Sequence, residues 1–357
     1  MKKVLILAMA ALCAACAGSV ANKQVLDSKV VEDGGTGPYK AFVESDSAFD
    51  GYAVYRPENL KAAVKKEGRL PVIVFGNGGC RNSSVEFQKF LTEIASHGYV
   101  AVAIGPLSYK SVEETNAAFT GMTDASLLNK AMDIMEAQAA DKESDYYGMV
   151  DVDKICAMGQ SCGGLQALTA SVDPRVKTSV ILNSGIFKEG GRPMGGMPDF
   201  SKIDLDSLRA SLPDEIKKIF MNEDGSIKEE FQNMEMPQMP AMPAGGGSMG
   251  GTMGKDGLAK LHAPVAYLIG GESDIAYENA LDDFRKIDNV PVVFANLPVG
   301  HLGTYQDDFG GEFSQVALKW LDWQLKGSDE GKTFFLGDTS DRDGFENWTV
   351  VHKNFKE

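Results

Sequence analysis

Apolar residues along the chain fall into two alternating patterns. Short unbroken runs such as Leu70-Pro71-Val72-Ile73-Val74-Phe75 suit strands buried on both faces of a parallel sheet. Between the runs, apolar residues recur at helical spacing. Phe87, Phe90, Leu91, Ile94 and Ala95 form one such stripe; Leu128, Ala131, Met132 and Met135 form another, in a helix predicted over 125–140. Ser83 with Glu86 three residues on reads as a capping box for the first helix, and Gly98 stops it. Further strands are predicted over 53–56, 99–104, 155–158, 179–182, 265–269 and 292–295, and further helices over 165–171 and 313–325. Buried strands alternating with helices give right-handed crossovers. The predicted class is therefore α/β, a doubly wound, mostly parallel sheet covered on both sides.

One stretch breaks the alternation. About 80 residues separate the strand near Ser184 from the one starting at Val265, far more than a crossover needs. We read 187–260 as an insertion before the strand that carries the candidate acid, within a main domain over 37–336, with 337–357 as a polar C-terminal tail. Nine of the 16 methionines lie between Met194 and Met253, many in the run Met234-Glu235-Met236-Pro237-Gln238-Met239-Pro240-Ala241-Met242-Pro243. Recurrent proline excludes a helix there, and the glycines that follow favour a flexible loop. A lid over the site is the expectation; soft thioether ligands for Cu(I) are the alternative.

The balance of 50 acidic against 35 basic residues gives a net charge of −15. With no basic block beyond Lys65-Lys66 after the N-terminus, nucleic acid is excluded as a partner. At the start, Lys2-Lys3 precede an apolar run over 4–15 that is too short to span a bilayer, followed by small residues. This reads as an export signal over 1–17. Leu12-Cys13-Ala14-Ala15-Cys16 resembles a bacterial lipoprotein signal in which Cys16 is acylated, although Cys13 stands where that pattern prefers Leu. Ordinary cleavage after Ala17 or Ala21 is the competing reading. The expected location is periplasmic or at the cell surface, with a lipid anchor as the sole membrane attachment. Of the five cysteines, Cys80, Cys156 and Cys162 then remain, enough for one bridge and one thiol. With no C-x-x-C outside the signal and four histidines in all, no metal site is expected.

The chemistry centres on Gly159-Gln160-Ser161-Cys162-Gly163 between a predicted strand and a predicted helix. A turn this tight needs glycines on both sides, and it lifts the serine hydroxyl above the sheet's carboxyl edge. Serine needs a base, and histidine is the side chain that titrates near neutrality. His97 ends a helix, His262 lies at the wrong end of a strand and His352 sits in the polar tail. His301 follows the strand over 292–295 in a loop before the last helix, and is the candidate base. An orienting acid should follow a strand between the two; Asp274 and Glu272 both do. The oxyanion of an acyl-transfer reaction needs two N–H donors. One is that of Cys162, after the nucleophile; the other belongs to Gly79 or Cys80 in the loop after Phe75.

With the order Ser161, acid, His301, the strand-loop over 75–80 and the elbow at Ser161, the chain resembles the α/β-hydrolase superfamily over roughly residues 53–326, the insertion excepted. Ala95-Ser96-His97-Gly98-Tyr99-Val100 and Gly271-Glu272-Ser273-Asp274 are similar to the dienelactone-hydrolase-like group, which includes cutinase-like polyester hydrolases and platelet-activating-factor acetylhydrolases. The resemblance implies a cofactor-free serine esterase acting on a small-molecule or polymer ester, and places the acid at Asp274. The long insertion and Cys162 after the nucleophile depart from that group. A silent hydrolase fold used for binding, or a peptidase or acyltransferase, are the alternative functions. Because both oxyanion donors sit at or beside cysteines, Cys80 and Cys162 are expected within bridging range as a disulfide, with Cys156 a buried thiol.

Overall fold

The computed structural model describes residues 25–31, 34–107, 122–188, 252–338 and 342–356. The predicted export segment with Cys16, and the methionine-rich run read as lid or copper site, lie outside the described residues. In chain order these form β1 (Val25–Val31), β2 (Ala41–Asp46), β3 (Tyr52–Pro57), α1 (Leu60–Glu67), β4 (Leu70–Gly76), α2 (Gln88–Ser96), β5 (Val100–Ile104), α3 (Ser126–Ala140), β6 (Val150–Gln160), α4 (Cys162–Ala170), β7 (Val176–Leu182), β8 (Val265–Ile269), α5 (Tyr277–Lys286), β9 (Val292–Asn296), α6 (Gly311–Leu321), α7 (Asp329–Leu336) and β10 (Thr349–Lys353). A π turn over Asp322–Lys326 prolongs α6, so the predicted helix over 313–325 is present in two parts.

The strands make one sheet in the order β1-β2-β3-β5-β4-β6-β7-β8-β9-β10. Its centre, from β5 to β9, is parallel throughout. Both margins are antiparallel: β3 on β5, β2 on β3 and β1 on β2 at one side, β10 on β9 at the other. The α/β class therefore holds, with a mixed sheet. Side chains alternate between two cores, as the two-residue period of a strand requires. Leu70, Val72 and Val74 of β4 pack with Leu128 and Met132 of α3 and Leu168 of α4 on one face. Ile73 and Phe75 point the other way, to Phe90 and Ile94 of α2 and Trp320 of α6. Every residue of β4 and β5 is buried, which is why these strands read as unbroken apolar runs.

Two expectations need correction. The capping box does not form: residues Val85–Phe87 make a 3₁₀ turn, and α2 starts after Phe87 with no side-chain cap. Glu86 instead accepts from Arg81 at 2.5 Å, and a charged donor outcompetes a backbone amide for a carboxylate. The segment read as a polar tail supplies β10, an edge strand whose side chains are mostly exposed. Polar edges are how sheets avoid further pairing, and they hide the strand from a reading based on buried apolar runs.

Candidate functional site

The site is built at the carboxyl edge of β4, β6, β7, β8 and β9. β6 ends at Gln160, and the chain turns through Ser161 at φ 54°, ψ −118° before α4 begins. Positive φ in a residue with a Cβ is a strained conformation that the surroundings must hold. Here the turn is clamped. Ser161 N–H donates to the Leu182 carbonyl (2.9 Å), and Ser184 Oγ donates to the Ser161 carbonyl (2.6 Å). The flanking glycines are where backbone meets backbone: a Cβ on Gly159 would lie 2.3 Å from the Gly163 carbonyl oxygen, and one on Gly163 2.1 Å from the Gly76 carbonyl.

From distant stretches, two side chains meet this hydroxyl. His301 Nε2 lies 2.9 Å from Ser161 Oγ, and its Nδ1 lies 2.6 Å from Asp274 Oδ1. The imidazole is partly open to solvent (22%), whereas the Asp274 side chain is fully buried. Asp274 Oδ1 also accepts the Ala276 N–H (2.9 Å), and Oδ2 accepts from the Gly270 N–H (3.0 Å) and Asn183 Nδ2 (2.7 Å). Burial by itself raises the pKa of this carboxyl; the hydrogen bonds from His301, Ala276, Gly270 and Asn183 outweigh that and hold it below the ordinary carboxylate range. Glu272, the competitor in the same turn, is exposed and stands outside this chain of hydrogen bonds. The acid and histidine loops touch directly: Gly300 N–H donates to the Gly270 carbonyl at 2.6 Å.

The other histidines are occupied elsewhere. His97 Nε2 lies 3.0 Å from Glu93 Oε1, His262 Nε2 lies 3.1 Å from the Val176 carbonyl, and His352 sits exposed on β10. Among the described residues no group of three or more His, Cys, Asp or Glu is placed to hold a metal.

The loop after β4 brings the second expected donor region to α4. Cys80 takes φ 51°, and its carbonyl accepts both the N–H and the hydroxyl of Thr123, each at 2.8 Å. Cys80 is joined to Cys162 by a disulfide with the Cα atoms 5.1 Å apart. Cys162 opens α4, where the first N–H groups lack intrahelical acceptors and the helix dipole favours negative charge. The third cysteine, Cys156, is a buried free thiol whose pKa burial pushes up, which keeps it protonated and inert.

Three residues of this architecture escaped the sequence reading. Gln160 Nε2 donates to the His301 carbonyl (3.1 Å), tying the strand that leads into Ser161 to the loop of His301. Asn183, one residue beyond β7, donates to Asp274 and to the Gly300 carbonyl (3.2 Å). The Tyr305 hydroxyl donates to Asn183 Oδ1. The signal that was there to find is position: Asn183 directly follows β7, the strand beside the one that leads into Ser161, at the edge where α/β sheets carry ligands.

No family model matches the chain, and no curated protein does.

Proposed function

We propose that this chain is a serine hydrolase of the α/β-hydrolase type that cleaves carboxylic esters. The observation that carries the reading is the continuous hydrogen-bonded line from Asp274 Oδ1 through both nitrogens of His301 to Ser161 Oγ. In this reading His301 takes the Ser161 proton as Oγ attacks the acyl carbon, and later delivers it to the leaving alcohol. Asp274, ionised and buried, fixes the tautomer with the proton on Nδ1 and balances the imidazolium. The developing oxyanion is met by the N–H of Cys162 and that of Gly79 or Cys80, held together by the disulfide. Water then resolves the acyl-enzyme by the reverse proton path, with no cofactor. Ile275, Val299 and Leu302, exposed apolar neighbours of the acid and base, favour an ester with an apolar portion.

Export to the periplasm or cell surface, with Cys16 as lipid anchor, goes with this reading, since a disulfide is compatible with an oxidising compartment. Among the described residues no helix is long and apolar enough to cross a membrane. The test is hydrolysis of a short p-nitrophenyl ester together with fluorophosphonate labelling. The expected result is turnover with the label on Ser161, and loss of about 10⁶-fold in kcat in Ser161→Ala. A Ser161→Ala chain as active as wild type removes the mechanism. An unlabelled, inert wild type leaves the binding-module alternative.

A further inference from the structure

We infer that Asn183 and Tyr305 are positioning residues for this reaction: one side-chain amide, oriented by one phenol, sets the spacing between the acid and the base. The inference rests on the serine-hydrolase reading and adds two residues to it.

Asp274 receives two N–H bonds from its own loop, those of Gly270 and Ala276. They settle the carboxylate within that loop but say nothing of where the histidine stands. Asn183 is different in kind. Its Nδ2 donates to Asp274 Oδ2 at 2.7 Å and to the carbonyl of Gly300, the residue before His301, at 3.2 Å. A single planar amide thus spans the loop that carries the acid and the loop that carries the base. Both partners are acceptors, so the amide nitrogen must face them and the carbonyl must face away. On that opposite side the Tyr305 hydroxyl donates to Oδ1, so the amide is engaged at both ends.

Each member is itself held. Asn183 is fully buried at φ 44°, a left-handed conformation that asparagine tolerates better than most residues, and its backbone N–H donates to the Leu268 carbonyl at 2.8 Å. The Tyr305 ring sits edge-on among Phe87, Phe90 and Phe313, with centroids 5.3, 5.4 and 5.3 Å away. Such contacts fix a ring's orientation. Burial, with the charge of Asp274 adding to it, pushes the Tyr305 phenol well above its usual range, so it stays a donor. Tyr305 also lies four residues past His301, so the base's own loop returns to orient the amide that locates the acid.

The experiment compares full-length Asn183→Leu and Tyr305→Phe with wild type on a short p-nitrophenyl ester, following kcat, KM, thermal melting and the far-downfield proton resonance of His301 Nδ1–H. A hydrogen bond to a charged group carries more than a neutral one, so the expected loss in kcat is ~10–100-fold for Asn183→Leu and ~3–10-fold for Tyr305→Phe. KM stays within about twofold, because ground-state binding does not use these groups. The downfield resonance moves upfield in both. If Asn183→Leu fails to fold, Tyr305→Phe decides alone, since it keeps the ring and loses one oxygen. A folded variant with wild-type kcat, or with raised KM and an unmoved resonance, overturns the inference. An inert, unlabelled wild type is a separate outcome: it overturns the hydrolase reading, and the inference falls with it.

Discussion

Two buried carboxylates of this molecule start from the same ingredients and end differently. Glu44 Oε1 accepts from Arg56 Nε and from the Tyr146 hydroxyl, each at 2.9 Å, and Arg56 Nη1 goes on to the carbonyls of Pro57 (3.0 Å) and Glu58 (3.1 Å). Asp274 is as deeply buried and as well supplied with donors. The difference lies in what stands at the far end. Arg56 keeps its proton at any ordinary pH, and burial raises the Tyr146 phenol well above its usual range. That network moves no proton near neutrality. The Asp274 line ends in an imidazole that reaches solvent and a hydroxyl held in a strained turn. Burial and hydrogen bonding are common to both carboxylates; what separates them is whether the line each one starts is closed in the core or runs on to an open end.

Removing the acid tests the contrast most severely. Asp274→Asn leaves the shape in place but offers His301 Nδ1 the wrong partner, and kcat on a short ester should fall by ~10⁴-fold. The same variant carries a pH signature. The folded Asp274 pKa lies below the unfolded value, so the carboxylate stabilises the fold above about pH 4 and this contribution is lost as pH falls through the lower folded value. Melting temperature against pH should therefore drop less steeply below about pH 4 in Asp274→Asn than in wild type; parallel curves would show that the carboxylate is not stabilised by the fold.

A smaller effect is expected from the bridge. Reducing Cys80–Cys162 with a dithiol, or replacing both by serine, frees the loop proposed to carry one oxyanion donor, and kcat should drop by ~10²–10³-fold. Full activity in the folded double variant would show that the loop is set without the bond. In the structural network the expected effect on turnover is smallest. Arg56→Met leaves Glu44 buried without its charged donor and should cost about 3–5 kcal/mol in denaturant unfolding, with kcat in native buffer unchanged. A large loss of kcat there would erase the distinction between the two carboxylates.

The parts of this design visible in sequence share one property: their local pattern and their tertiary role coincide. β4, β5, β8 and β9 are buried on both faces, so their runs carry the whole signal. The turn at Ser161 needs its glycines for contacts within the motif and against Gly76, and the cysteine pair was legible as one bridge between the loop after β4 and the start of α4. Other features belong to relations between distant residues. Nothing near Asn183 or Tyr305 in the sequence announces that they meet over Asp274. The choice between Glu272 and Asp274 depended on resemblance until the fold buried one and exposed the other. α5 buries only Ala280 and Asp283, too few positions for a recognisable stripe. Ser83 and Glu86 had the right spacing for a cap, but Arg81 was the stronger competitor for the carboxylate.

The backbone contact between Gly270 and Gly300 has a consequence for the proposed reaction. A methyl group on Gly270 would lie 1.8 Å from the Gly300 oxygen, so the two peptide segments rest against each other with no side chain as cushion. The residue before His301 is therefore anchored to the loop of Asp274 by backbone alone. Under the proposed reaction, products would leave past an imidazole whose loop is braced against the loop of Asp274.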